Sequence, residues 1–238
     1  MTSSPTSQWP AGLAVHPRIS TLPSELIAQF RDVPTAHASD CLGRSIGATG
    51  LQAFHGQAPM CGPAITVRAR PGDNLMIHIA LSLAQPGDVI VVDGAGDLTQ
   101  AVAGGLMRTT ALVKRLGGFV IDGAVRDIAE FAEGGLPCYA RGAVHRGPSK
   151  DGPGEVNIPI ACAGMTVAPG DLVLGDPDGV IAIPAAQVEA LLPRVRAHAA
   201  KEAKQKADIL ANATDPDRFK AILRAKGVPE PLLHWGEA

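Results

Sequence analysis

Between residues 62 and 143 the apolar positions switch repeatedly between two periods. "GPAITVRAR" sets β-branched residues against polar ones at a period of two, the pattern of a strand. "DVIVVDGAG" and "GFVIDGA" are near-continuous apolar runs, as expected of strands buried on both faces. Helical stretches separate them. "PGDNLMIHIALSLAQPGD" is capped by Asp73 or Asn74 and stopped before Pro86; "RTTALVKRLGG" ends in a glycine cap; "DIAEFAEGG" is short and closed by glycines. This alternation predicts an α/β core with some parallel pairing. "LPCYARGA" and "MTVAPGDLVLGDPDGVIAIP" then add strands without intervening helices. The sheet is therefore expected to be mixed, or packed against a second sheet.

The flanks read differently. Residues 1–18 form an arm expected to have little fold of its own. Residues 19–185 make the α/β domain, and 186–238 a helical extension. "STLPSELIAQFRDV" predicts a helix with a Ser/Thr cap, Pro23 near its first position, and Leu26, Ile27 and Phe30 on one face. A second short helix is expected in "PTAHASDCLGR". After Pro184 the chain turns helical and charged to about residue 212, with Pro193 expected to kink or restart the helix. "DPDRFKAILRAKGV" predicts a last short helix.

Composition narrows the function classes. The 238 residues include 46% hydrophobic and 18% charged, a globular balance. Lys+Arg 21 against Asp+Glu 23 leaves no basic field to hold nucleic acid. Aromatics at 3% offer few stacking platforms for bases. The four cysteines, Cys41, Cys61, Cys138 and Cys162, lie far apart without zinc-ligand spacing, so reduced thiols in a cytoplasmic protein are expected. The N-terminus has no secretory pattern, and the uncharged stretches are too short to span a bilayer.

Three stretches carry candidate chemistry. "VVDGAGD" lacks the third glycine of a dinucleotide fingerprint and reads as a tight strand-to-loop turn. In "AVAGGLMRTTALVKRLGG" the economical reading starts a helix near Gly105 and runs it to Leu116. That leaves the N–H groups of Leu106 and Met107 as unpaired donors for a carboxylate or phosphate; the alternative is that Gly104 and Gly105 only permit close packing. In "GGFVIDGAVRD" a buried strand ends on Arg126 and Asp127. Asp127 with Glu130 reads equally as a capping box. Both side chains can serve one site only if the chain is already turning into the next helix. "HRGPSKDGPGEVN" is a basic loop, with Arg146 and Lys150 placed to close over an anion. "GDPDG", with Asp176 and Asp178, reads as a hairpin turn, and His78 as a core or interface histidine.

Taken in order, "GDNLMIHIAL", "AQPGDVIVVDG", "GGLM", "GFVIDGAVRD", "HRGPSKDGPGEVNIPI" and "PGDLVLGDPDGVIAIP" resemble the ribonuclease-activity-regulator-like family, from about Pro34 to Pro184. That family includes the class II 4-hydroxy-4-methyl-2-oxoglutarate / 4-carboxy-4-hydroxy-2-oxoadipate aldolases. The resemblance implies a swivelling β/β/α-type layered domain and a metal-dependent lyase that cleaves or decarboxylates a 2-keto acid. The family's pattern is an acid, twenty intervening residues, then Arg-Asp. Carried over, Arg126 and Asp127 are catalytic, with Arg126 holding the keto-acid carboxylate and carbonyl and Asp127 ligating a divalent metal, Mg²⁺ or else Mn²⁺. Gly104, Gly105, Leu106 and Met107 supply amides to pyruvate, and Lys150 lies near the pocket. Position 105 departs from the pattern, since Gly105 stands where the aldolases carry an acid. Oxaloacetate decarboxylation, which needs no base for a hydroxyl proton, is therefore expected to survive better than aldol cleavage. The family also implies a trimer or dimer of trimers, and its name points to a second reading as a protein-binding regulator of a ribonuclease.

Overall fold

The structure is a computed structural model that describes residues 9–19, 21–213 and 217–234. The chain divides into a unit from Met1 to Val195 and a second from Arg196 to Ala238. In the first unit the strands are β1 (Leu13–Val15), β2 (Gln52–Ala53), β3 (Met60–Ala69), β4 (Val89–Ala103), β5 (Gly118–Val125) and β6 (Cys138–Ala143). They continue with β7 (Gly154–Val156), β8 (Ile160–Cys162), β9 (Met165–Val167), β10 (Leu172–Asp176) and β11 (Gly179–Ile183). The helices are α1 (Ser24–Ala28), α2 (Thr35–Cys41), α3 (Leu75–Leu83), α4 (Gly105–Val113) and α5 (Ile128–Ala132). A longer helix, α6 (Ala185–Leu210), runs from the first unit into the second.

The sheet is mixed, as its sequence predicts. β3, β4, β5 and β6 pair in parallel, each parallel step covered by a helix. β7 and β10 add antiparallel to β3, and β2 adds antiparallel to β6. The ten-residue β3 serves two sheets: its first half pairs with β10 of the β10–β11 hairpin, its second half with β4 and β7.

Alternation along the strands explains the apolar runs. Ile65, Val67, Ile90, Val92, Phe119, Ile121, Cys138 and Ala140 face the core beneath α3, α4 and α5. Their neighbours Ala64, Val89, Val91, Val120 and Tyr139 face the opposite side, against the β8–β9 hairpin and residues of β10 and β11. Helices, central sheet and a second β layer therefore stack in the order that the family resemblance implies. A third cluster joins Phe30, Ala38, Leu172, Leu174, Ile181 and Ile183 to the apolar face of α6, from Val188 to Val195.

Several local expectations change. Pro23 occupies the N-cap position of α1, so the helix starts one residue after the proline and takes no Ser/Thr side-chain cap; Ser20 lies outside the described residues. Leu26, Ile27 and Phe30 do share the face packed on the third cluster. The residues 1–8 of the arm are likewise outside the described chain, while Leu13–Val15 takes its order from pairing parallel with β7. β4 does not end at the "DGAG" turn. Ala95 (φ 56°) and Gly96 (φ 70°) bulge it, and pairing with β5 resumes at Asp97, Ala101 and Ala103. α4 ends at Val113 instead of Leu116, and its left-handed closing residue is Arg115 (φ 56°), not a glycine. Leu116 N–H donates back to Ala111 O at 2.9 Å and Arg115 N–H to Leu112 O at 2.9 Å, the paired bonds of a Schellman closure.

α6 runs uninterrupted through Pro193, so the proline does not restart the helix. In the second unit, α7 (Arg218–Ala225) is followed by a 3₁₀ turn over Glu230–Leu233, and Arg224 pairs with Glu230 at 2.5 Å. No helix among the described residues is long and apolar enough to cross a membrane.

Candidate active site

The bulge in β4 decides where the site forms. By carrying β4 on to Ala103, it brings Gly104 and the start of α4 beside the end of β5. Arg126 N–H donates to Ala103 O at 3.0 Å, which locks the two strand ends together. Asp127 then turns into the left-handed conformation (φ 56°, ψ 40°) before α5. That sharp turn lets two adjacent side chains serve one place.

The Asp127 carboxylate makes no cap bond to its own helix. Its Oδ2 accepts from Gly105 N–H at 2.9 Å, at the N-terminus of α4. The capping-box reading is thus corrected: the turn into α5 is closed by backbone, Glu130 N–H donating to Asp127 O at 3.0 Å. Arg126 Nε stands 3.6 Å from Asp127 Oδ2, with both side chains about two-fifths exposed. A water-screened contact of this kind contributes little to stability, so its placement calls for another explanation than holding the fold together.

Gly104 makes this packing possible. A Cβ there would stand 2.6 Å from Asp127 Oδ2 and 2.9 Å from Arg126 Cγ. Met107 N–H donates to Gly104 O at 3.0 Å, so of the two amides expected to be open, only that of Leu106 lacks a partner among the described residues. An unpaired N–H at the positive end of a helix favours an anion.

A cavity of about 130 Å³ opens there, lined by Gly104, Gly105, Leu106, Met107, Arg126 and Lys150, together with Asn74, His78 and Pro148. Asp127 lines the adjoining depression, with Arg126 bordering both. Met107 faces the cavity from a buried position in the core, whereas the Leu106 side chain is 85% exposed.

Asn74 and His78 are the residues that sequence reasoning missed. Asn74 is the N-cap residue of α3 and His78 lies one turn into it, and this i, i+4 polar pair on an apolar helix is the signal that could have found them. Asn74 Nδ2 donates to Val102 O at 3.1 Å; its Oδ1 is buried without a donor among the described residues. Burial, and then the nearby Lys150 ammonium, hold the His78 pKa below the ordinary histidine value.

Lys150 is placed by Asp73. The Asp73 Oδ2 accepts from Ser149 Oγ at 2.6 Å, Asp151 N–H at 2.7 Å and Gly152 N–H at 3.1 Å, while Oδ1 accepts from Leu75 N–H at 2.9 Å. One buried carboxylate thus caps α3 and pins the basic loop. Burial works against its ionisation, but these four bonds prevail and hold its carboxyl below the usual aspartate range. Gly147 brings the same loop over Arg126, where a Cβ would meet Nη1 at 2.9 Å.

The chain matches the RraA-like family, described as Aldolase/RraA, over residues 35–182. It is 40% identical over 185 residues, 77% of this chain and 88% of the relative, to a Halalkalibacterium halodurans protein named "Putative 4-hydroxy-4-methyl-2-oxoglutarate aldolase". It is 35% identical over 134 residues, 56% of this chain and 81% of the relative, to the 4-hydroxy-4-methyl-2-oxoglutarate aldolase of Thermus thermophilus. Among solved structures it resembles "the RNA-processing inhibitor RraA from Thermus thermophilis", with a TM-score of 0.60 and 32% identity over 64% of this chain and 93% of that one. The aldolase names among these relatives support enzymatic activity in general terms, and the fold, the span of the match and the identities agree: the chain belongs to the Aldolase/RraA family.

Proposed function

We propose that this protein is a class II, metal-dependent lyase that cleaves or decarboxylates a 2-keto acid through a pyruvate enolate. The observation that carries the reading is one cavity lined by Gly104–Met107, Arg126 and Lys150, with the Asp127 carboxylate at its border.

A divalent cation fits Asp127. Among the described residues only Oδ2 takes a protein donor, and the strained left-handed backbone turns the carboxylate away from its own helix. A single carboxylate suits Mg²⁺, which keeps most of its shell as water and substrate oxygens. When bound, the metal would supply Lewis-acid polarisation of the keto group.

The chain's own residues do the rest. The Leu106 amide and the α4 dipole receive the substrate carboxylate, and Lys150 adds positive charge at the mouth. The Arg126 guanidinium faces the oxygen on which charge accumulates as the bond to C3 breaks, stabilising the enolate more than the keto acid.

Incubation with oxaloacetate and Mg²⁺, following pyruvate, tests this. Release is expected, with Asp127→Ala losing most of it and Arg126→Ala reducing it by about 10²–10³-fold. No release with any divalent metal, or equal release from Asp127→Ala, contradicts the reading.

The RNA-processing-inhibitor relative motivates a second reading, a binding protein that represses a ribonuclease. Capture of the ribonuclease by this chain, lost on deleting residues 194–238, would favour it; no capture would leave the lyase alone.

A further inference from the structure

Gly105 is enclosed by a side chain from another helix. A Cβ on Gly105 would stand 2.3 Å and 2.4 Å from the two carboxylate oxygens of Glu130, and 2.6 Å from its Cδ. The space a side chain at 105 would fill is thus already occupied by a carboxylate. The local fold explains how. Glu130 lies in the first turn of α5, and its carboxylate reaches back to Gly105 at the start of α4. Arg108 on α4 fixes the far end of that helix, donating from Nη2 to Gly134 O at 2.8 Å. The carboxylate rests against a residue that lines the cavity, at the end of a helix dipole that favours an anion.

We infer that Glu130 is the catalytic base for aldol cleavage, delivering from α5 the carboxylate that Gly105 lacks. The inference rests on the lyase reading above and assigns its missing proton acceptor. In the step, a Glu130 oxygen takes the proton of the substrate's C4 hydroxyl. The O–H electron pair becomes the new C4 carbonyl bond, the C3–C4 pair moves into the C2–C3 bond, and the π pair of the C2 carbonyl moves onto its oxygen, giving pyruvate enolate opposite Arg126. The proton on Glu130 returns to C3, so the second product is pyruvate and the carboxylate is regenerated. Decarboxylation of oxaloacetate has no hydroxyl proton to remove. Glu130 therefore governs the ratio of the two reactions, in a way that a merely structural glutamate would not.

The test measures pyruvate release from 4-hydroxy-4-methyl-2-oxoglutarate and from oxaloacetate, side by side with Mg²⁺. Glu130→Gln is expected to lower the ratio of cleavage to decarboxylation by about 100-fold, within the range typical of general-base catalysis. Gly105→Asp combined with Glu130→Ala, which moves the carboxylate from α5 to α4, is expected to recover most of the ratio. Melting curves check the packing without reference to activity: Gly105→Ala lowers the Tm, and adding Glu130→Ala relieves the loss. An unchanged ratio in Glu130→Gln with an active wild type overturns the Glu130 assignment and leaves the lyase reading intact. A wild type inactive on both substrates overturns both.

Discussion

Gly104 owes its identity to two neighbours, the carboxylate of Asp127 and the Arg126 side chain, which stand where its Cβ would project. Its backbone is extended (φ −162°, ψ −166°) and any residue could adopt it, so close approach and not conformation demands the glycine. Gly104→Ala is therefore expected to fold yet to displace both charged groups, costing about 100-fold in pyruvate release. A Tm within a few degrees of wild type with that loss would support the account, and unaltered turnover would contradict it. At this scale the sequence was legible where chemistry is local. Adjacent Arg126 and Asp127 at a strand end, and the glycine pair before a helix, pointed to one place. What it concealed was the partner of Asp127. Nothing in "RDIAE" indicates that its carboxylate bonds to the amide of Gly105, twenty-two residues earlier, instead of to its own helix.

The elements that carry the site were partly legible. The apolar runs marked β4 and β5 because both faces of the central sheet are covered. The bulge at Ala95–Gly96 was not, since a glycine turn and a bulged continuation share the same residues, and only pairing with β5 distinguishes them. The role of α3 was also hidden. The sequence offers Asp73 as one of two possible caps, and Asp73 does bond the Leu75 N–H at the start of α3; its three further bonds, which tie α3 to the loop of Lys150, leave no mark in the sequence.

This arrangement predicts a pH dependence. Asp73 and His78 both have pKa values below the ordinary ones of 3.8 and 6.5. A depressed value means that the unfolded chain binds the proton more readily, so each contributes stability above its unfolded pKa and loses it as pH falls through the folded one. Stability should decline in two stages on acidification, the first below about pH 6.5 from His78 and the second below about pH 4 from Asp73. Denaturant titrations across this range check it: His78→Gln should flatten the first stage, and Asp73→Asn the second. Unchanged profiles would contradict the assignment.

At the scale of the whole molecule, three layers hold the cavity at the end of the parallel strands, where open α/β sheets place their ligands. That layering followed from alternating periods and from the family resemblance together. The antiparallel additions of β7 and β10 to β3 did not, because three- and five-residue strands leave too little pattern to show their partners. The division after Val195 falls inside a continuous helix, where sequence offers no break beyond Pro193. We propose that the chain assembles as a trimer or dimer of trimers, the state its family resemblance implies. Light scattering is expected to return three or six times the chain mass, and a monomer at all concentrations would contradict it.

The central claim is that Asp127 and Arg126 together accommodate a cation and a keto acid at the start of α4. Crystals soaked with Mn²⁺ and pyruvate address it most directly through anomalous scattering. The account predicts a manganese peak on the Asp127 carboxylate, with the pyruvate carboxylate between the Leu106 amide and Arg126. A cavity without pyruvate, and manganese bound anywhere but Asp127, would contradict it.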